Sequence, residues 1–62
     1  MYEILFVLHF NSGTEFVAIK HDKPATKIKE VEDASEGMYI QWTVFFDKKI
    51  VSSGEINPPK EE

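Results

Sequence analysis

The chain has 62 residues, with eleven acidic side chains against seven lysines, a net charge of −4, and neither arginine nor cysteine. So short a chain forms one domain with a small core. The absence of cysteine excludes disulfide staples and fits a cytoplasmic location. The chain is negatively charged and has no arginine, the side chain that binds phosphate groups and base edges most specifically. Both features argue against nucleic acid as a partner.

Apolar alternation predicts a β-hairpin at the start of the chain. Residues 2–10 alternate, and both parities are apolar in the middle of the segment. That pattern is typical of a central strand, or of a strand covered on both faces. Residues 14–21 resume the alternation after Asn11-Ser12-Gly13 and predict the second strand.

The two histidines favour one register for this hairpin. A three-residue loop places His9 opposite Glu15 and His21 opposite Glu3, which are charge-complementary pairs. The histidines then lie toward opposite ends of the hairpin and share no ligand site. We therefore predict no metal site, since two separated ligands do not make a zinc centre.

Residues 22–37 have two interpretations. As a strand, residues 26–32 pair with 38–44 across a polar loop. As a helix, the segment has Pro24 in its first turn and Ile28 and Val31 on one face. Lysines near the start and acids near the end oppose the helix dipole, so the strand is preferred.

The second half of the chain predicts two further strands. Residues 38–46 alternate, and their even-numbered set centres on Trp42, which we expect at the centre of the core. Residues 50–56 predict a weaker strand, which we expect at a sheet edge because it contains serines and a glycine. Residues 57–62 predict a disordered polar tail, because two prolines and three charged residues cannot continue a ladder.

Together these elements predict one domain over residues 1–56. It is mostly β, a small antiparallel meander or half-barrel of four to five strands, with α+β of ββαββ order as the alternative. The segments Leu8-His9-Phe10-Asn11-Ser12-Gly13-Thr14 and Ile56-Asn57-Pro58 resemble short, uncharacterised β-meander proteins encoded by bacteriophages and prophages. Those proteins have no agreed activity, so the resemblance implies only an origin.

Neither a nucleophile elbow nor a phosphate loop occurs in the sequence, which predicts no catalytic residue, no cofactor and no enzyme. No segment has the long apolar run of a membrane helix, so no membrane partner is expected. Two groups of residues are candidates for contact with a protein partner. The first is an acidic patch suited to a basic protein surface: Glu30, Glu32, Asp33 and Glu36. The second is the aromatic pair Tyr39 and Phe45, on the parity of their strand that is less buried.

These features predict a non-enzymatic, acidic protein-interaction module. An inhibitor encoded by a phage and aimed at a basic surface of a host protein is one form that such a module takes. The alternatives are a self-assembling structural or accessory protein and, less favoured, a small nucleic-acid-binding barrel. A homodimer is expected as well, because the first strand is apolar on both faces and the core is thin.

Overall fold

The computed structural model describes residues 1–59. In these residues the chain order is ββαββ: the elements are β1 (Tyr2–Phe10), β2 (Gly13–His21), α1 (Pro24–Ser35), β3 (Ile40–Phe46) and β4 (Lys49–Ile56). The four strands form one open antiparallel sheet in the order β2-β1-β3-β4. The predicted mostly β class with four antiparallel strands is confirmed, and β1 is a central strand as its apolar pattern indicated.

The segment between the two hairpins is a helix, so the preference for a strand over residues 26–32 was wrong. The predicted pairing with residues 38–44 is not available, because β1 and β4 occupy the two edges of β3. The chain instead crosses one face of the sheet as α1. Pro24 fits the first turn, where its missing N–H costs nothing, and Ile28 and Val31 pack against the core.

The first hairpin has a shorter loop than predicted. Phe10 lies opposite Gly13, so the loop is Asn11-Ser12 and the register differs by one residue from the expected one. Gly13, the residue that follows the loop, takes a positive φ of 146°, a conformation that glycine adopts without steric cost.

The register decides which side of β2 is buried. His9 lies opposite Thr14 and Glu3 opposite Lys20, so the predicted histidine–glutamate pairs do not form. A slip of one residue turns every side chain of a strand to the other face. The observed register puts Val17 and Ile19 on the core face and turns Phe16 and Ala18 to the opposite face.

The core lies between α1 and one face of the sheet. Its buried members among residues 1–59 are Ile4, Phe6, Ile40, Val44 and Ile56. Trp42 lies on the predicted face but is only half-buried and packs against this cluster, so the expectation that it forms the centre of the core was wrong. The reason is the position of α1, which contacts β1 and leaves a groove beside Trp42 on the β3–β4 side.

The end of α1 and the end of β4 are tied together by Asn57. Its side-chain Nδ2 donates hydrogen bonds to Ser35 Oγ at 3.1 Å and to Met38 O at 3.4 Å. Asn57 is the first residue of the predicted tail, and residues 60–62 of that tail lie outside the described residues. The chain leaves α1 through Glu36, whose φ of 37° is left-handed.

Candidate interaction surface

The face of the sheet opposite α1, which we call the open face, has an apolar centre. The odd-numbered residues of β1 and β3 point to it, together with the even-numbered residues of β2 that pair with them. Its apolar members are Leu5, Val7, Phe16, Ala18, Phe45 and Ile50. Phe16 is 68 % exposed and Ile50 is 66 % exposed, so large apolar side chains face solvent in this structure.

The open face is a consequence of strand alternation. Alternate residues of a strand point to opposite faces, and β1 is apolar at both parities. One parity is buried under α1, where Ile4 and Phe6 are almost fully covered. The other parity supplies Leu5 and Val7, which are half-buried by their sheet neighbours alone.

One end of the open face carries four polar or aromatic side chains that hold one another. The rings of His9 and Tyr39 stack with centroids 4.5 Å apart and an interplanar angle of 13°. His9 Nε2 lies 2.8 Å from Gln41 Oε1, and the Tyr39 hydroxyl donates a hydrogen bond to the Glu55 carboxylate. These contacts hold the four side chains of the polar end in one arrangement.

The contact with Glu55 changes the acidity of Tyr39. The hydrogen bond to the carboxylate raises the pKa of the Tyr39 phenol above its ordinary value of 10.0, and desolvation and the negative charge of Glu55 act in the same direction. The phenol therefore remains a neutral hydrogen-bond donor over the whole physiological pH range. Its stabilising contribution is present below pH 10.0 and is lost as the pH rises through the higher folded-state pKa.

The predicted aromatic pair is found on this surface. Tyr39 lies at the polar end, where its carbonyl oxygen accepts a hydrogen bond from the backbone N of His9 at 3.1 Å. Phe45 lies opposite Glu3 at the other end and is half-buried. The sequence reasoning missed Phe16, because the assumed register turned it toward the core. The double-sided apolar pattern of β1 indicated a central strand or one covered on both faces, and the structure shows a central strand with one of its faces uncovered.

The predicted acidic patch lies on the other side of the molecule. Glu30, Glu32, Asp33 and Glu36 are all exposed, the first three on α1 and the last at its C-terminal cap. Two of these carboxylates share a cation, since Lys29 Nζ lies 3.3 Å from Asp33 Oδ1 and 3.8 Å from Glu32 Oε1. The hydrogen bond and charge of Asp33, with the charge of Glu32, raise the pKa of Lys29. Lys29 thus offsets part of the negative field of the patch.

A groove of about 800 Å³ runs between α1 and the β3–β4 side of the sheet. Trp42, Val44 and Val51 contribute apolar walls, and Lys29 and Glu32 stand among its charged lining residues. Since charges of both signs line it, the groove has no bias toward a ligand of one charge.

His21 lies far from His9 and on the other face of the sheet. Its Nδ1 accepts a hydrogen bond from the backbone N of Lys23 at 2.9 Å. Within residues 1–59 no group of three or more His, Asp or Glu side chains is arranged to hold a metal ion. Over the same residues no helix is long and apolar enough to cross a membrane.

Comparison of this chain with protein-family models, curated proteins and solved structures gives no match in any of the three. Two surfaces of this chain are candidates for contact with a partner, the open face and the acidic patch.

Proposed function

We propose that this protein is a non-enzymatic protein-interaction module of the cytoplasm. The observation that carries the proposal is the open face, where Phe16 and Ile50 are about two-thirds exposed beside Leu5, Val7 and Phe45. Monomeric domains rarely leave a contiguous apolar area uncovered, and such areas mark sites of association. Aromatic side chains concentrate binding energy at such sites, because they bury a large area at little entropic cost.

The acidic patch supplies the second half of the proposal. It lies across the sheet from the open face, so both surfaces are accessible to different proteins at the same time. Its exposed carboxylates favour a protein partner with a basic surface, because complementary charge accelerates encounter. The same charge repels nucleic acid. An inhibitor encoded by a phage and directed at a host protein is one form that such a module takes.

The contribution of the patch is testable by its effect on association rate. A partner recovered from bacterial lysate is immobilised, and binding is followed by surface plasmon resonance at low and physiological salt. Replacing the two patch carboxylates that do not contact Lys29, in the double variant Glu30→Gln/Glu36→Gln, should slow association roughly threefold to tenfold at low salt. The salt dependence should become shallower, because fewer charge pairs remain to be screened.

The matched control is the double variant Glu15→Gln/Asp47→Asn, which changes net charge equally but away from α1. If both variants slow association by the same factor, only net charge matters and the patch has no special role. Both should melt at the temperature of the parent, since exposed carboxylates contribute little to stability.

A self-assembling structural or accessory protein is the second candidate. It is favoured by the two edges of the sheet, β2 and β4, since the edge of a sheet is a template for further strands. Each edge strand carries a lysine, Lys20 in β2 and Lys49 in β4, and lysines discourage such pairing. Light scattering separates the two candidates: a mass that grows without limit with concentration indicates assembly, and a fixed mass indicates a module.

A further inference from the structure

We infer that the open face is covered by a second copy of this chain, related by a two-fold axis that lies between the two sheets and runs perpendicular to the strands. The inference rests on the proposed function, because it names the protein that buries the open face. It leaves the acidic patch of each copy on the outside of the pair.

The strand register arranges the open face in four rows of neighbouring side chains. From one end of the sheet to the other they are Lys20-Glu3-Phe45-Ile50, Ala18-Leu5-Thr43-Ser53, Phe16-Val7-Gln41-Glu55 and Thr14-His9-Tyr39. The two middle rows are apolar over β2 and β1 and uncharged polar over β3, and over β4 they carry Ser53 and Glu55. Charged and aromatic side chains lie mainly in the outer rows.

Rotation about an axis perpendicular to the strands reverses the order of the rows in the second copy. The second row of one copy then lies over the third row of the other, and the first row lies over the fourth. Each strand then lies over its own counterpart in the second copy. Over β1, Leu5 meets Val7 of the second copy, and Glu3 meets His9. The apolar centre is therefore buried against itself, and a carboxylate faces an imidazole at both ends.

Strands β2 and β3 also match under the same operation. Over β2, Ala18 meets Phe16, a small side chain against a large one. Over β3, Phe45 meets Tyr39, so each aromatic at one end of the face finds an aromatic at the other. Symmetric dimers need a surface that complements itself in this way.

The other simple two-fold axis, parallel to the strands, gives a poor match. It lays β2 over β4, so that Phe16 meets Glu55 and Lys20 meets Ile50. Both contacts would bury a charged group against an apolar side chain, which is costly without a partner. Self-complementarity therefore selects the perpendicular axis.

The size of the face sets the expected strength. Four strands about 4.8 Å apart and roughly seven residues long give a face of roughly 19 by 24 Å. Two such faces bury on the order of 1,000 Å², the lower limit for a specific interface. The dimer should therefore dissociate in the micromolar range rather than the nanomolar range.

Sedimentation equilibrium of the full chain, from low micromolar to submillimolar concentration, tests the inference. The parent should move from monomer to dimer mass and stop there. The variant Val7→Lys puts a charge in the apolar centre of both copies and should weaken the dimer by roughly a hundredfold or more. The control variant Ala34→Lys, on exposed α1, should dimerise like the parent.

Site-specific crosslinking tests the axis with a substitution that adds only one sulfur atom to each copy of the interface. The chain has no cysteine, so one introduced thiol is unique. In a dimer of Ala18→Cys, the Cα atoms of the two introduced cysteines should be about 12 Å apart. Packed sheets are about 10 Å apart, and the two positions are displaced by two residues, about 7 Å, along the strand direction. With the parallel axis they would be about 17 Å apart, three strand spacings to the side.

A short bifunctional maleimide should therefore join two chains of Ala18→Cys in high yield and leave the control Ala34→Cys uncoupled. A parent that stays monomeric at submillimolar concentration would overturn the inference, as would a dimer that joins through position 34 but not 18. In the first case the proposed function would still stand on binding of a different protein to the open face. Circular dichroism tests whether Val7→Lys is folded. If this variant is unfolded, the crosslinking of Ala18→Cys tests the dimer in its place.

Discussion

At the scale of single residues, Gly54 shows how a position that weakens a strand is required by its neighbour. Gly54 lies opposite Trp42 in the β3–β4 pair. A Cβ built at this position would come within 2.5 Å of Trp42 Cζ2 and 2.9 Å of Trp42 Cε2. The glycine thus leaves the space that the indole occupies. Its low strand propensity, which made β4 look weak in the sequence, is offset by this packing.

We predict that Gly54→Ala lowers the free energy of unfolding by about 1–3 kcal/mol, because the indole must leave its position or the strands must separate. Urea denaturation followed by circular dichroism measures the change. Ser53→Ala is the matched control, since Ser53 is exposed on the open face in the same strand. A Gly54→Ala variant as stable as Ser53→Ala would show that the indole relaxes into the groove at no cost.

At the scale of elements, α1 is held by packing rather than by its own sequence. Its N-cap residue Lys23 makes no side-chain capping bond, the first turn has no acid and the last turn has no base. These features oppose the helix dipole and leave amide groups uncapped at the N-terminus. The helix forms nonetheless, because Ile28 and Val31 cover the core of the sheet.

The missing cap predicts a stabilising substitution. Lys23→Ser should raise the free energy of unfolding by about 1 kcal/mol, since a serine hydroxyl accepts a hydrogen bond from the first turn. Lys27→Ser inside the helix is the control and should lower stability slightly, because serine is a poorer helix former than lysine. Thermal and urea unfolding of the two variants measure the difference. If Lys23→Ser and Lys27→Ser changed the free energy of unfolding equally, a stabilising N-cap at position 23 would be contradicted.

At the scale of the whole molecule, one helix covers one side of a four-stranded sheet, and the core of residues 1–59 has five buried apolar side chains. A domain of this size has only a few kcal/mol of stability, so any further burial is a large fraction of the total. Covering the open face with a second copy provides such burial. Folding and association are then linked, because only the folded chain presents the open face.

This linkage predicts a melting temperature that depends on protein concentration. Above the dissociation constant, a tenfold increase in concentration should raise the melting temperature by roughly 3–5 °C. Differential scanning calorimetry over a hundredfold range of concentration measures the effect, and Val7→Lys should melt at one temperature throughout. A parent that melts at one temperature over the whole range would contradict a folding-linked dimer.

The candidate site could be predicted in part. The aromatic pair Tyr39 and Phe45 followed from parity within one strand, and parity is a local property. The exposure of Phe16 could not be predicted, because it depends on the hairpin register. A loop shorter by one residue exchanged the two faces of β2. The charge balance around the acidic patch also escaped prediction, since Lys29 lies just before the patch and reaches it only through the helical turn.

The sequence by itself determined the four strands, the central position of β1 and the double-sided apolar pattern that produces an open face, because alternation along a strand is read from neighbouring residues. Only the tertiary structure decided the helix over Pro24–Ser35, the register of β2 and the half-burial of Trp42. These features depend on which strand edges are already paired and on where α1 lies over the sheet. They arise from contacts between distant segments, which local patterns of residues do not contain.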